Sequence, residues 1–179
     1  MYNCEHIDKT SLFTKNSRTM SKSYKEPAGL SDVSEFHDVF DLPVLNIPTI
    51  PAADRCDLRV NLLQEELDEL KEAIADKDIV EIADALADLQ YVLSGAVIEF
   101  GLADRFKDLF DEVHRSNMSK PCQSLAEAEE TQIHYMTTKD TESHIVERAN
   151  KFFVYRNHDK KVLKSVNYSP ANLEVIVKR

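Results

Sequence analysis

Glycine is scarce in this chain, at three of 179 residues, and tryptophan is absent. With so few glycines there is no G-x-G-x-x-G and no Walker signature, so a glycine loop wrapped around phosphates is excluded. The three cysteines, Cys4, Cys56 and Cys122, are scattered, odd in number and form no C-x-x-C. That excludes a disulfide framework and points to a reducing, cytoplasmic compartment. No apolar run approaches the roughly 18 residues of a membrane span, and the N-terminus lacks a signal-like apolar region, so no membrane partner is expected. Cations are in deficit too. Against 32 Asp and Glu stand 22 Lys and Arg, a net charge of −10, which excludes nucleic acid as a partner, because its phosphate backbone would be repelled.

What is present is helical periodicity. Residues 1–30 are polar and aperiodic and read as an N-terminal arm. Val33, Phe36 (or His37) and Phe40 recur at helical spacing, with Ser31 as the expected cap and Pro43 beyond the end. The stretch 42–51 holds three prolines and reads as a semi-rigid apolar connector that lines something. A long helix is expected from Ala53 to Ala75, with Val60, Leu63, Leu67, Leu70 and Ile74 as its apolar stripe. Asp76–Asp78 reads as turn and N-cap. The next helix runs to Phe100 on Ile82, Leu86, Leu89, Leu93 and Val97, with Gly101 as its C-cap. A fourth, Ala103 to Arg115, buries Phe106, Leu109 (or Phe110) and Val113. Ser124 and Glu127 stand at capping-box spacing for a short acidic helix, and 152–179 reads as extended pieces around a turn at Asn157–Asp159. The fold expected is all-α. It is a bundle of four to five helices around an antiparallel central pair, completed by oligomerisation, with a helical domain at 31–120, an acidic helical insert at 121–150 and an irregular C-terminal segment at 151–179.

The chemistry lies in "EELDELKEAIADKDIVEIADALAD", residues 65–88, where ten of twenty-four positions are Asp or Glu. Acidic helices are ordinarily solvated faces, but three features set this one apart. At about 100° per residue, Glu65, Glu66 and Glu69 share a face with Leu58 and Leu62, while Asp68 points elsewhere. Glu81, Asp84 and Asp88 share a face of the following helix with Tyr91, flanked by alanines, and no Lys or Arg occurs between Asp78 and Arg105. Like charges so stacked, with no interleaved cations, cost stability. Finally, a short turn makes the two helices antiparallel neighbours, with Glu69 level with Asp84, Glu65 with Asp88, and Glu72 paired with Glu81 nearer the loop. An oxygen-only set of converging carboxylates without His or Cys suits Mg²⁺, with Mn²⁺ as a substitute, and argues against zinc. Such a site performs metal-assisted attack of water on a polyphosphate.

The pattern E-E-x-x-E followed by E-x-x-D, here Glu65-Glu66-x-x-Glu69 and Glu81-x-x-Asp84, resembles the MazG-like all-α nucleoside triphosphate pyrophosphohydrolases, the group that includes phosphoribosyl-ATP pyrophosphohydrolase. The likeness extends over residues 33–120, and the ending "DKKVLKSVNYSPANLEVI" is similar to one MazG-like subgroup. It implies Mg²⁺-dependent cleavage of an NTP or dNTP between the α- and β-phosphates, in a homodimer or homotetramer. Carried across, Glu66, Glu69, Glu81 and Asp84 are metal ligands and Glu65 is a ligand or the water-activating base, with Glu66 as a further catalytic carboxylate. One departure is visible: the context D-L-x-aromatic belongs to Asp88. The literal motif favours Glu81 with Asp84, whereas matched heights favour Asp84 with Asp88.

Arg115, Asn117 and Lys120 at the end of the fourth helix suit phosphate oxygens, though an ordinary polar helix end reads the same way. Lys161, Lys164 and Tyr168 read as surface residues from the sequence alone; with the resemblance, they would reach over phosphate from the tail. His37 and Phe40 would contact a base, although a histidine on an apolar face is more often a core residue, and Tyr91 would stack on or hydrogen-bond a nucleotide. Two alternatives stand beside this reading: a non-catalytic helical oligomerisation module, and a hydrolase of the same fold acting on a phosphoribosylated nucleotide.

Overall fold

The computed structural model describes residues 22–179; most of the expected N-terminal arm, residues 1–21, lies outside them. Among the described residues there are six helices and one two-stranded sheet: α1 Gly29–Val39, α2 Ala53–Asp76, α3 Ile79–Glu99, α4 Ala103–Met118, α5 Leu125–Lys139, β1 Ser143–Arg148, β2 Lys151–Arg156 and α6 Glu174–Val177. The fold is mostly helical.

α2 and α3 form an antiparallel hairpin and α1 packs on α3. Their joint is two residues long. Lys77 adopts a left-handed conformation (φ 59°), and the Asp78 carboxylate accepts the N–H groups of Val80 at 2.9 Å and Glu81 at 3.3 Å. This is an N-cap that satisfies two donors at the helix start. At the far end of α3 the chain bends by 116° into α4. Gly101 makes that corner possible. Its φ is +65°, and a Cβ there would stand 2.0 Å from the Ile47 carbonyl oxygen. The proline connector is docked on the same corner by Leu45 N–H to Ile98 O and Thr49 N–H to Phe100 O.

β1 and β2 pair antiparallel, Ser143 opposite Arg156 through Arg148 opposite Lys151, and α5 packs over them. Cys122, Ala128, Val154 and Leu163 make a small separate core there, with Tyr135, Ile145 and Phe152 against it. The tail returns to α4, where α6 docks.

Several expectations are corrected. Ser31 lies inside the first turn of α1, whose cap position is Ala28 without a side-chain hydrogen bond. His37, not Phe36, takes the buried position beside Val33, leaving Phe40 exposed. The α2 stripe is only partly the core seam: Leu63 and Leu70 are half-buried, but Val60 is 64% and Ile74 56% exposed, and on α3 Leu86 is 52% exposed whereas Ile82, Leu89 and Val97 are covered. Arg59, Leu62, Glu66 and Ala73 are withdrawn from solvent beside them. On α4, Leu109 is buried while Phe110 and Val113 are exposed, and the helix runs on to Met118. Strand β1 falls within the stretch expected to be helical, so the hairpin straddles residue 150, and the short helix α6 was not foreseen.

Candidate active site

Helix α2 brings Glu65, Glu66 and Glu69 to the flank of the hairpin, and α3 brings Asp84 and Asp88 to the same flank. Burial raises the pKa of the Glu66 carboxyl, and the charges of Glu69, Asp88, Glu65 and Asp84 raise it further, in that order. Each like charge in reach favours the protonated form. Glu81 is not among the groups acting on Glu66. The hairpin register explains the set. Gly95 packs under Arg59, which fixes the heights of the two helices and leaves Glu66 opposite Asp88.

The other acids of this stretch have partners of their own. Asp68 accepts from Lys71 at 2.7 Å and Gln64 at 2.9 Å, and these hydrogen bonds lower its pKa. Asp78 serves as a cap, and Glu72 and Asp76 are exposed. Among the described residues, no three of the carboxylates stand close enough to form a ready-made coordination cage. The converging set has an all-oxygen donor chemistry, and α3 supplies no Lys or Arg to neutralise it. Those two facts fit a hard cation.

One helical turn nearer the start of α2, the same flank opens into a pocket of about 260 Å³ between α1, α2 and α3. Phe36, Leu58, Leu62, Tyr91 and Val92 supply its apolar walls. Phe36 and Tyr91 meet edge to face with ring centroids 5.7 Å apart. His37 also lines the pocket, but both its nitrogens are engaged, Nδ1 with the Pro43 carbonyl at 2.8 Å and Nε2 with Arg59 Nη2 at 3.1 Å. Because a guanidinium only donates, Nε2 accepts and Nδ1–H donates to Pro43.

Beneath the pocket lies an ion cluster that the sequence did not disclose. Glu99, 1% exposed, accepts from both Arg55 and Arg59. Burial pushes its pKa up, yet these hydrogen bonds and charges outweigh burial and hold it low. The available signal was Arg55 and Arg59, four residues apart on one face and level with the end of α3.

The basic candidates gather elsewhere, where the tail meets the end of α4. Tyr168 shares a hydrogen bond of 2.7 Å with Ser116. That bond, and the charges of Lys164 and Lys120, lower its phenol pKa. Lys164 Nζ sits 4.1 Å over the Tyr168 ring, and Lys120 donates to Asn117 Oδ1 at 2.7 Å. Arg115 is committed to structure: it chelates Glu112 and holds Ser169 Oγ and the Pro170 carbonyl at 3.0 Å. Lys161 is exposed near the turn after β2. Among the described residues, no hydrogen bond or ion pair joins this basic group to the carboxylate flank.

The helical hairpin with its acidic flank lies within a stretch that is similar to the MazG-like all-α nucleoside triphosphate pyrophosphohydrolases, hydrolases acting on phosphoric anhydrides. Residues 33–117 match the family model described as phosphoribosyl-ATP pyrophosphohydrolase. An uncharacterized protein of Acanthamoeba polyphaga mimivirus is 40% identical to this chain over 70 residues, which cover 36% of this chain and 28% of the relative. The match thus spans little more than a quarter of that relative's length. Among the described residues, no single helix is long and apolar enough to cross a membrane.

Proposed function

We propose that this chain is a Mg²⁺-dependent nucleotide pyrophosphohydrolase that cleaves an NTP or dNTP between the α- and β-phosphates, releasing the monophosphate and pyrophosphate and clearing unwanted nucleotides. The observation that carries the proposal is the convergence on Glu66 of four further carboxylates with no cation among them. In this reading Glu66, Glu69, Asp84 and Asp88 hold the metal, which when bound neutralises phosphate charge and polarises the anhydride. Glu65, exposed beside them, orients and deprotonates the attacking water. The neighbouring pocket takes the base, so that one nucleotide spans pocket and carboxylates on a single flank. The absence of Glu81 from the charges acting on Glu66 supports Asp88 over Glu81 as the completing ligand.

A homodimer or homotetramer belongs to the same proposal. Val60, Leu67 and Ile74 on α2, and Ile79, Leu86 and Leu93 on α3, are all exposed and repeat every seven residues, the spacing of a helix–helix seam. On the helical wheel this seam lies on the flank opposite the acids, where a second copy can cover it while leaving the carboxylates open.

The test is a panel of NTPs and dNTPs with Mg²⁺, read by pyrophosphate and monophosphate release. Asp88→Asn and Glu69→Gln are expected to reduce kcat/KM at least ~100-fold, the scale of several kcal/mol of charge stabilisation, whereas Glu81→Gln stays within about tenfold of wild type. A panel in which nothing is cleaved defeats the proposal, and a loss confined to Glu81→Gln reverses the ligand choice.

A further inference from the structure

The pocket beside the carboxylates holds a polar atom with nothing to bind. Arg59 is 6% exposed and lines that pocket. Its Nη2 donates to Glu99 Oε1 and stands 3.1 Å from His37 Nε2, but its Nε–H has no partner among the described residues. A buried donor left unpaired is costly, so native structures rarely keep one without a reason. The guanidinium also has little freedom to seek an acceptor elsewhere. Glu99 holds one side, and Gly95 lies so close on another that a Cβ there would meet Nη1 at 2.6 Å and Cζ at 3.2 Å. Of the other polar groups lining the pocket, Arg55 is held by Glu99, and His37 by Pro43 and Arg59, while the Tyr91 hydroxyl stands at its edge. An entering ligand thus meets carbon walls, aromatic edges with the Tyr91 hydroxyl, and beneath them the buried, unpaired Nε–H of Arg59. The volume of about 260 Å³ lies below the roughly 300–1,000 Å³ of clefts that enclose whole drug-sized ligands, and suits a single planar ring system.

Resting on the pyrophosphohydrolase reading above, we infer that Arg59 determines base specificity: its buried Nε–H donates to the exocyclic carbonyl of a keto base (uracil, thymine, hypoxanthine or guanine) and opposes the exocyclic amino group of cytosine or adenine. A carbonyl supplies the missing acceptor. An amino group at the same place sets donor against donor and leaves both unpaired. Sites built around such a hydrogen bond discriminate far more strongly than apolar pockets do.

The experiment compares kcat/KM of the full chain, with Mg²⁺, for two near-isosteric pairs, dUTP against dCTP and inosine triphosphate against ATP. Wild type is expected to favour the keto member of each pair by about 10- to 100-fold. Arg59→Lys keeps a cation opposite Glu99 but has no N–H at the Nε position, and should bring both ratios close to one. Gly95→Ala, which displaces the guanidinium without removing it, should act in the same direction. A merely structural Arg59 would lower all four substrates together and leave the ratios intact. Ligand-observed NMR of deoxyuridine against deoxycytidine, without metal, reads the pocket independently of catalysis. Keto-selective binding in a protein that cleaves nothing would defeat the pyrophosphohydrolase reading alone. Equal wild-type kcat/KM within each pair, or ratios unmoved by Arg59→Lys, overturns the role of Arg59, and the wild-type comparison decides even if a variant fails to fold.

Discussion

At the scale of single residues, the acids of 65–88 divide by what stands next to them. Asp68 has a lysine and Asp78 has two backbone donors, whereas Glu66 has four other carboxylates. A charge held against its like costs stability until a counter-ion arrives, so Glu66→Gln should raise Tm by about 1–3 °C in metal-free buffer. The same change should abolish nucleotide cleavage and weaken stabilisation by Mg²⁺, all readable by calorimetry and pyrophosphate release. Glu112 is the opposite case. The Arg115 guanidinium, then the Asn172 N–H, bring its pKa from the ordinary 4.5 to about 2. A depressed folded-state value means that its contribution is present above 4.5 and is lost as pH falls through about 2. The Asn172 amide resonance should therefore shift toward its free-tail position over that window. In Glu112→Gln that shift should already be present at neutral pH.

At the scale of elements, α2 and α3 were legible because their periodic stretches are long and a two-residue joint forces antiparallel packing. The joint alone puts Glu65 level with Asp88; the packing of Gly95 under Arg59 moves the match by one residue, to Glu66. What the sequence concealed was which apolar line faces inward. Val60, Leu67 and Ile74 look like core from spacing alone, yet the hairpin withdraws Arg59, Leu62 and Glu66 from solvent, since the Arg59–Glu99 pair and the small residues Gly95 and Ala85 permit the closest approach there. The β1–β2 hairpin was missed for a local reason. Its two-residue turn is Ala149-Asn150, at φ 49° and 57°, where a glycine would ordinarily announce such a turn. Ala pays a steric penalty in that conformation, so Ala149→Gly is expected to stabilise the chain by about 0.5–1 kcal/mol, or roughly 2–4 °C in Tm. A lowered Tm would show that this turn is not the one formed in solution.

For the whole molecule, the two flanks of the hairpin are set apart for different uses, acids on one and an exposed heptad seam on the other. If the seam is where copies meet, Leu67→Glu combined with Leu86→Glu should reduce the mass seen by light scattering from a multiple of 20.5 kDa to that value, without altering helical circular dichroism. A wild-type protein already at 20.5 kDa would refute the seam. Metal should act on the other flank: with Mg²⁺ or Mn²⁺ in excess, Tm is expected to rise with the logarithm of concentration, as for any ligand that binds only the folded state.

The fixed register between α2 and α3 also limits how this gene can drift. A codon gained or lost between Arg59 and Glu65 would rotate one part of α2 against the other by about 100°, parting the pocket wall from the carboxylates in a single event. A codon added at Lys77 would instead slide one helix along the other by about 1.5 Å, so that Glu66 no longer met Asp88. Side chains around the pocket are therefore free to change one at a time, and substrate preference with them. The count of residues from Arg59 to Asp88 is not.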